Sequence, residues 1–195
     1  MISDNLKCIY IHIPKTGGMS IESILGEDLE QLHKLSIKIK HGTPEEWKYP
    51  KYWKHYFKFT FVRNPWDRVV SAYIYNLKMS HTNTSQHDRE KIKQYGIDGF
   101  NEYVLNDLQE TSSRFFLPCS HWIKGYDYDF IGKLENFQRD MSFICNKMGI
   151  NYVPTHLNMT SRDKYSKYYN KDSKEKIKQL YKDDIEMFNY QYNEL

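Results

Sequence analysis

The apolar positions of this chain fall into short runs, each followed by a polar turn and then by apolar positions at helical spacing. Residues 7–13, KCIYIHI, form the first run, rich in Ile and long enough for a buried strand. Gly17 and Gly18 break it, and a short helix is expected from Met19 to Leu25. Leu35 to Lys40 alternates apolar and polar positions, as a second strand would. Thr43-Pro44-Glu45-Glu46 is a helix start, with Thr43 as N-cap and Pro44 at the first helical position. Residues 56–62 read as another strand. Asn64 then caps a helix opened by Pro65, with Trp66, Val69, Val70, Tyr73, Ile74 and Leu77 along one face.

The second half is less regular. Residues 79–95 are polar and read as a loop or lid. Residues 98–106 look helical, and 109–128 irregular, with Pro118 and Gly125. A strand is expected over 128–134 and a helix from Glu135 to Met148, stopped by Gly149. Residues 150–162 read as a loop, followed by Lys- and Tyr-rich helical segments. Strands alternating with helices predict an α/β fold with a parallel sheet flanked by helices. At 195 residues, with no internal repeat and no linker, one domain over 1–195 is expected.

Composition narrows the class. Aromatic residues make up 16% of the chain, too many for a disordered polymer. A net charge of +3 favours an anionic small ligand slightly, but is no nucleic-acid footprint. Cys8, Cys119 and Cys145 are odd in number and lack paired metal spacing, so a reducing compartment is expected. Neither a signal peptide nor an apolar run of about 18 residues is visible, and a cytoplasmic chain is the expectation.

Two turns carry the chemistry. PKTGGMS, residues 14–20, sits where a strand hands over to a helix. Glycines let the backbone approach an anion, and the amides and dipole of the helix start favour negative charge. Lys15 adds a cation, and Thr16 and Ser20 add hydroxyls. GxxxxGK[ST] is absent, which weakens an ATPase assignment. A tight turn with no ligand is the plainer alternative. In FVRNPWDRVVSAY, residues 61–73, Arg63 stands at a strand end, where open parallel sheets bind ligands. Its guanidinium can grip a phosphate through two hydrogen bonds. Ser71 lies a turn beyond Asp67 and Arg68; surface ion pairing of those two, with Ser71 incidental, is the competing account. Together the turns suit a ligand with two anionic ends.

At this point the chain resembles a family. The two segments are similar to the 5′-phosphosulfate loop and the 3′-phosphate motif of sulfotransferases that use 3′-phosphoadenosine 5′-phosphosulfate (PAPS). The likeness is to the carbohydrate-type branch, which includes heparan and chondroitin sulfotransferases and bacterial relatives. It continues through DFIGKLENFQRDMSFICNKMGI, HLNMTSRDKYSKYYN and LYKDDIEMFNY. The resemblance implies a P-loop-like, three-layer α/β/α fold with a central parallel sheet of four or five strands. It implies that Pro14, Lys15, Thr16, Gly17, Gly18, Met19 and Ser20 hold the 5′-phosphosulfate. Arg63 and Ser71 would hold the 3′-phosphate, and the stretch from Asn158 through Thr160, Ser161 and Arg162 would close over the nucleotide. Met19 stands where the family often has a small or hydroxylated residue, and residues 79–95 have no clear counterpart.

Sulfuryl transfer relies on positioning and electrostatic stabilisation, as phosphoryl transfer does. Lys15 is the candidate for neutralising the leaving oxygen; a scheme built on Lys15 and backbone amides calls for no metal. His41, in IKHGTPEEW, falls between a predicted strand and a helix, matches a family histidine, and is the candidate general base. A surface or capping histidine is the alternative. Glu22, His12 and His121 are weaker candidates, and His12, between Ile11 and Ile13, reads as a buried structural histidine. Cys119 with His121 gives too few ligands for a metal. The acceptor would be a carbohydrate or another hydroxyl-bearing molecule, met by the loops at 79–95 and 109–128. Trp47, Trp53, Phe115, Phe116 and Trp122 can stack on sugar or pack in a core. A small-molecule kinase using ATP and magnesium, and a non-catalytic nucleotide- or glycan-binding module, are the other two classes.

Overall fold

The structure is a computed structural model that describes residues 1–26, 40–46, 53–78, 86–152 and 162–193. In chain order the elements are β1 (Ile2–Ser3), β2 (Cys8–Ile11), α1 (Gly18–Leu25), β3 (Phe57–Val62), α2 (Pro65–Lys78), α3 (Gln86–Tyr95), α4 (Phe100–Asn106), α5 (Ser120–Ile123), β4 (Phe130–Lys133), α6 (Phe137–Met148), α7 (Lys171–Leu180) and α8 (Lys182–Phe188). They form two compact units, each built from two stretches: residues 1–63 with 121–161, and residues 64–120 with 162–195. The fold is α/β, as expected.

The first unit holds a four-stranded sheet in the order β1-β2-β3-β4. β2, β3 and β4 are mutually parallel; the two-residue β1 runs antiparallel to β2 and makes the sheet mixed rather than all parallel. Every residue of β2 is buried, which is why its sequence is a continuous apolar run. Alternation along the strands puts Cys8, Tyr10, Phe59 and Phe61 in one core with Ile21 and Leu25 of α1 and Met141, Ile144 and Cys145 of α6. Each fully buried phenylalanine here contributes about 1.5–3 kcal/mol.

Two devices register β4. Asp129 accepts from the Lys58 amide at 2.8 Å and pairs with Lys58 Nζ at 2.9 Å, while its own amide donates to the Lys58 carbonyl at 2.9 Å. Gly132 lies under the Phe61 ring, and a Cβ there would stand 2.6 Å from a ring carbon. β4 leads into α6, whose buried Asp140 accepts from the Lys133 amide at 2.8 Å. Gly149 ends α6 in the left-handed region at φ 69°, as its sequence position suggests.

The second unit is helical. The Asn64 side chain accepts from the Trp66 amide at 3.2 Å, so Asn64 does start α2. α2 is buried on most sides, Arg68, Ser71 and Asn76 included, while Leu77 is only half-buried. Arg68 is fully buried; its guanidinium donates to the carbonyls of Phe115, at 3.3 Å, and Leu117. Asp184 of α8 accepts from the amides of Cys119 and Ser120 at 2.6 and 2.7 Å. Asn170 and Ser173 form a reciprocal cap on α7.

Residues 86–95, within the segment expected as a loop, form α3 and bury Asp88 and Ile92. Residues 79–85 of that segment lie outside the described residues. So does the strand expected from Leu35, except for Lys40, which is helical. At Thr43 the expected cap is present: the Thr43 amide donates to Glu46 at 2.8 Å and the Glu46 amide to the Thr43 hydroxyl at 3.3 Å. Among the described residues no helix is long and apolar enough to cross a membrane.

Candidate functional site

In the first unit, β2 delivers the chain into a turn at Pro14–Gly17 before α1 begins at Gly18. Lys15 at φ 66° and Gly17 at φ 86° are both left-handed, on either side of Thr16. Such alternation lines the inside of a turn with backbone N–H groups, and the dipole of α1 adds to their positive field. Gly17 also has no room for a side chain, since a Cβ would stand 2.7 Å from Leu134 Cδ1. Thr16 is fully buried and its hydroxyl donates to the Ile13 carbonyl at 2.9 Å, so its hydrogen bond holds the turn shut. Ser20 is buried, whereas Met19 is 58% exposed at the first turn of α1. Arg63, at the end of β3, donates to the Lys15 carbonyl at 3.1 Å. The Arg63 guanidinium thus meets the backbone of the turn that carries Lys15.

The same turn adjoins a buried chain of ionisable groups. His12 Nδ1 lies 2.6 Å from Glu22 Oε1, and Lys40 Nζ lies 3.0 Å from Glu22 Oε2. His41 Nδ1 lies 2.9 Å from the His12 carbonyl oxygen, and the two rings meet edge to face. Trp122, fully buried, donates its indole N–H to the His41 carbonyl at 2.8 Å. The His12 ring reaches Gly18 so closely that a Cβ there would stand 2.0 Å from Nε2.

These contacts set the protonation pattern. Burial alone would push the Glu22 carboxyl up; the His12 hydrogen bond and the His12 and Lys40 charges outweigh it and hold it at about 2. Burial pulls His12 below its usual value despite Glu22, and pulls His41 well below its own, helped by His12. Both imidazoles are therefore neutral near pH 7. A carboxylate and a carbonyl can only accept, so each ring carries its proton on Nδ1 and its lone pair on Nε2.

Ser71 is buried on α2 of the second unit, where Arg162 pairs with Asp67 of the same helix. Asp67 thus has an ion-pair partner other than Arg68, which is internal. Thr160 and Ser161 lie outside the described residues. His121 is exposed, with its ring edge-on to Trp122 at 5.0 Å. Phe115 and Phe116 are buried in the second unit, Trp53 donates to Asp127 at 2.7 Å, and Trp47 lies outside the described residues. No metal-binding cluster of His, Cys, Asp and Glu occurs among the described residues. Sequence reasoning missed Lys40 and the role of Trp122; both depend on contacts between distant stretches that no local pattern encodes.

Comparison with known proteins agrees with the sequence resemblance. The model of the sulfotransferase family matches residues 1–191. Carbohydrate sulfotransferase 14 of Danio rerio is 24% identical over 89% of this chain and 53% of its own length. Carbohydrate sulfotransferase 11 of Rattus norvegicus is 29% identical over 70% of this chain and 47% of its own. Carbohydrate sulfotransferase 9 of Homo sapiens is 26% identical over 97% of this chain and 52% of its own. The chain thus spans about half the length of these curated relatives. No solved structure matches it. With a family match over nearly its whole length, the chain belongs to the sulfotransferase family.

Proposed function

We propose that this chain moves a sulfuryl group from PAPS to a hydroxyl of a carbohydrate acceptor, with His41 as general base. The observation that carries it is His12, which touches the phosphate turn at Gly18 and His41 at once. A base is thereby held next to a turn suited to an anion. The residues present fit the donor chemically: the turn offers amides, a helix N-terminus, Lys15 and Arg63, and the nearby Glu22 is neutralised by Lys40.

In this scheme Pro14 through Ser20 hold the 5′-phosphosulfate, and Arg63 and Ser71 the 3′-phosphate. Thr160, Ser161 and Arg162 close over the nucleotide. His41 Nε2 accepts the proton of the acceptor hydroxyl as its oxygen forms a bond to sulfur. The bond between sulfur and the 5′-phosphate oxygen breaks, and Lys15 neutralises the charge left on that oxygen. 3′-Phosphoadenosine 5′-phosphate (PAP) is the second product. Loss of such a preorganised donor costs about 10²–10³ in rate. The carbohydrate acceptor is supported by the names of the relatives.

The test is transfer from PAPS labelled in its sulfate to a panel of unsulfated polysaccharides and simple sugars. Labelled carbohydrate is the expected product. Transfer only to non-carbohydrate hydroxyls overturns the acceptor class, and no transfer with PAP bound leaves a binding module.

A further inference from the structure

The His12–Glu22–Lys40 chain has no part in the reaction written above, yet it is among the most enclosed polar features of the first unit. Glu22 is 1% exposed and His12 6%. Buried carboxylates are retained only when paired and hydrogen-bonded, and Glu22 is both. The His12 ring is held at three places. Nδ1 is anchored on Glu22, its Nε2 end abuts Gly18, and the ring meets His41 with centroids 4.4 Å apart at 86°. Ring and carbonyl of this one residue thus both contact His41, the carbonyl by accepting from Nδ1 and the ring by packing edge to face against it.

We propose that Glu22 is a positioning residue: charge-balanced by Lys40, it locks the His12 ring against His41 and so keeps His41 in the Nδ1–H form. The functional sense of this rests on the assignment of His41 as base, but its geometry does not. Without the anchor, the His12 ring is released to turn away from His41. The His41 ring then gains room to flip, and its proton distributes between the two nitrogens. The charged and titratable groups that act on His41 are His12, Lys40 and Glu22.

The experiment is nitrogen NMR of the imidazoles in the full chain at neutral pH, which needs no substrate. In the wild type, His41 is expected as a single Nδ1–H form. In Glu22→Gln the side-chain carbonyl still accepts from His12, and the wild-type pattern is expected to persist. In Glu22→Ala the His41 signals are expected to move to a tautomer mixture. Should Glu22→Ala not fold, the pair Glu22→Leu with Lys40→Met removes the anchor without stranding a buried charge, and the same mixture is expected. An unchanged Nδ1–H pattern in a folded anchor-less variant overturns the proposal, as does a Gln variant disturbed as much as the Ala variant. PAP titration of the same samples tests the donor site separately, so that failure of one assignment is distinguishable from failure of the other.

Discussion

His41 Nδ1 lies 2.9 Å from the backbone carbonyl of His12, and the two imidazoles stand nearly perpendicular, at 86°. That single relationship orients the proposed base and joins it to the segment between β2 and the Pro14–Gly17 turn. A base assigned this way is expected to matter for chemistry and not for nucleotide binding. His41→Ala should lower sulfuryl transfer by about 10²–10⁴ while PAP affinity stays within a factor of about 2. Transfer at near wild-type rate would remove His41 from the role.

Arg63 is expected to behave in the opposite way. Its guanidinium sits at the end of β3 against the Lys15 carbonyl. Arg63→Ala should weaken PAP binding by about 10-fold or more, since charge-assisted hydrogen bonds to phosphate are worth about 1.5–3 kcal/mol. Calorimetric titration with PAP and with adenosine 5′-phosphate measures it. The variant should lose its preference for PAP.

Gly18 distinguishes close packing from backbone freedom. A Cβ there meets the buried, anchored His12 ring at 2.0 Å, so Gly18→Ala must displace the ring or the turn. Denaturant titration should show a loss of about 1–3 kcal/mol, and PAP affinity should fall with it. Gly149→Ala is the contrast: its φ of +69° is strained for alanine, but nothing lies within 4 Å of the new atom. It should cost about 1–2 kcal/mol and leave PAP binding unchanged.

Acid should destabilise the fold in two stages. His12 and His41 resist protonation when folded because both are buried, His41 more strongly, whereas in the unfolded chain they titrate near 6.5. The unfolded state therefore binds more protons below 6.5, and stability present above that value is lost as pH falls. Glu22 acts lower and in the same direction. Held at about 2 against an ordinary 4.5, it contributes stability above 4.5 that is lost as pH falls towards 2. Urea midpoints from pH 8 to pH 4 should decline as pH falls, with an added loss below about 6.5 from the two histidines. His41→Gln should flatten part of that decline.

Arg68 should be structural. It is completely buried and donates to two carbonyls; burial works against its charge, and the neighbouring Cys119, Tyr181, Asp184 and Tyr190 outweigh burial and raise its pKa. Arg68→Ala should destabilise the chain by about 3–5 kcal/mol, read from the urea midpoint.

The strand–turn–helix units were legible because each signal was local: an Ile-rich run, a glycine pair, Asn64 before Pro65. His12 as a buried histidine was legible too, from its place between Ile11 and Ile13. The reason for Gly18 was not. Sequence suggested access for an anion, whereas the structure fills the space of its Cβ with the His12 ring. The Glu22 contacts were hidden because they join residues 10 and 18 positions apart in the sequence. α3 was misread because QHDREKIKQY offers a single aliphatic residue, Ile92, to mark its buried face.

The most direct test of the central claim is calorimetric titration of the chain with PAP beside ADP and ATP–magnesium. PAP should bind at least about 10-fold more tightly than either, as expected for a site that grips a phosphate at each end of the nucleotide. Binding of ATP–magnesium with none of PAP would contradict the account and place a kinase in its stead.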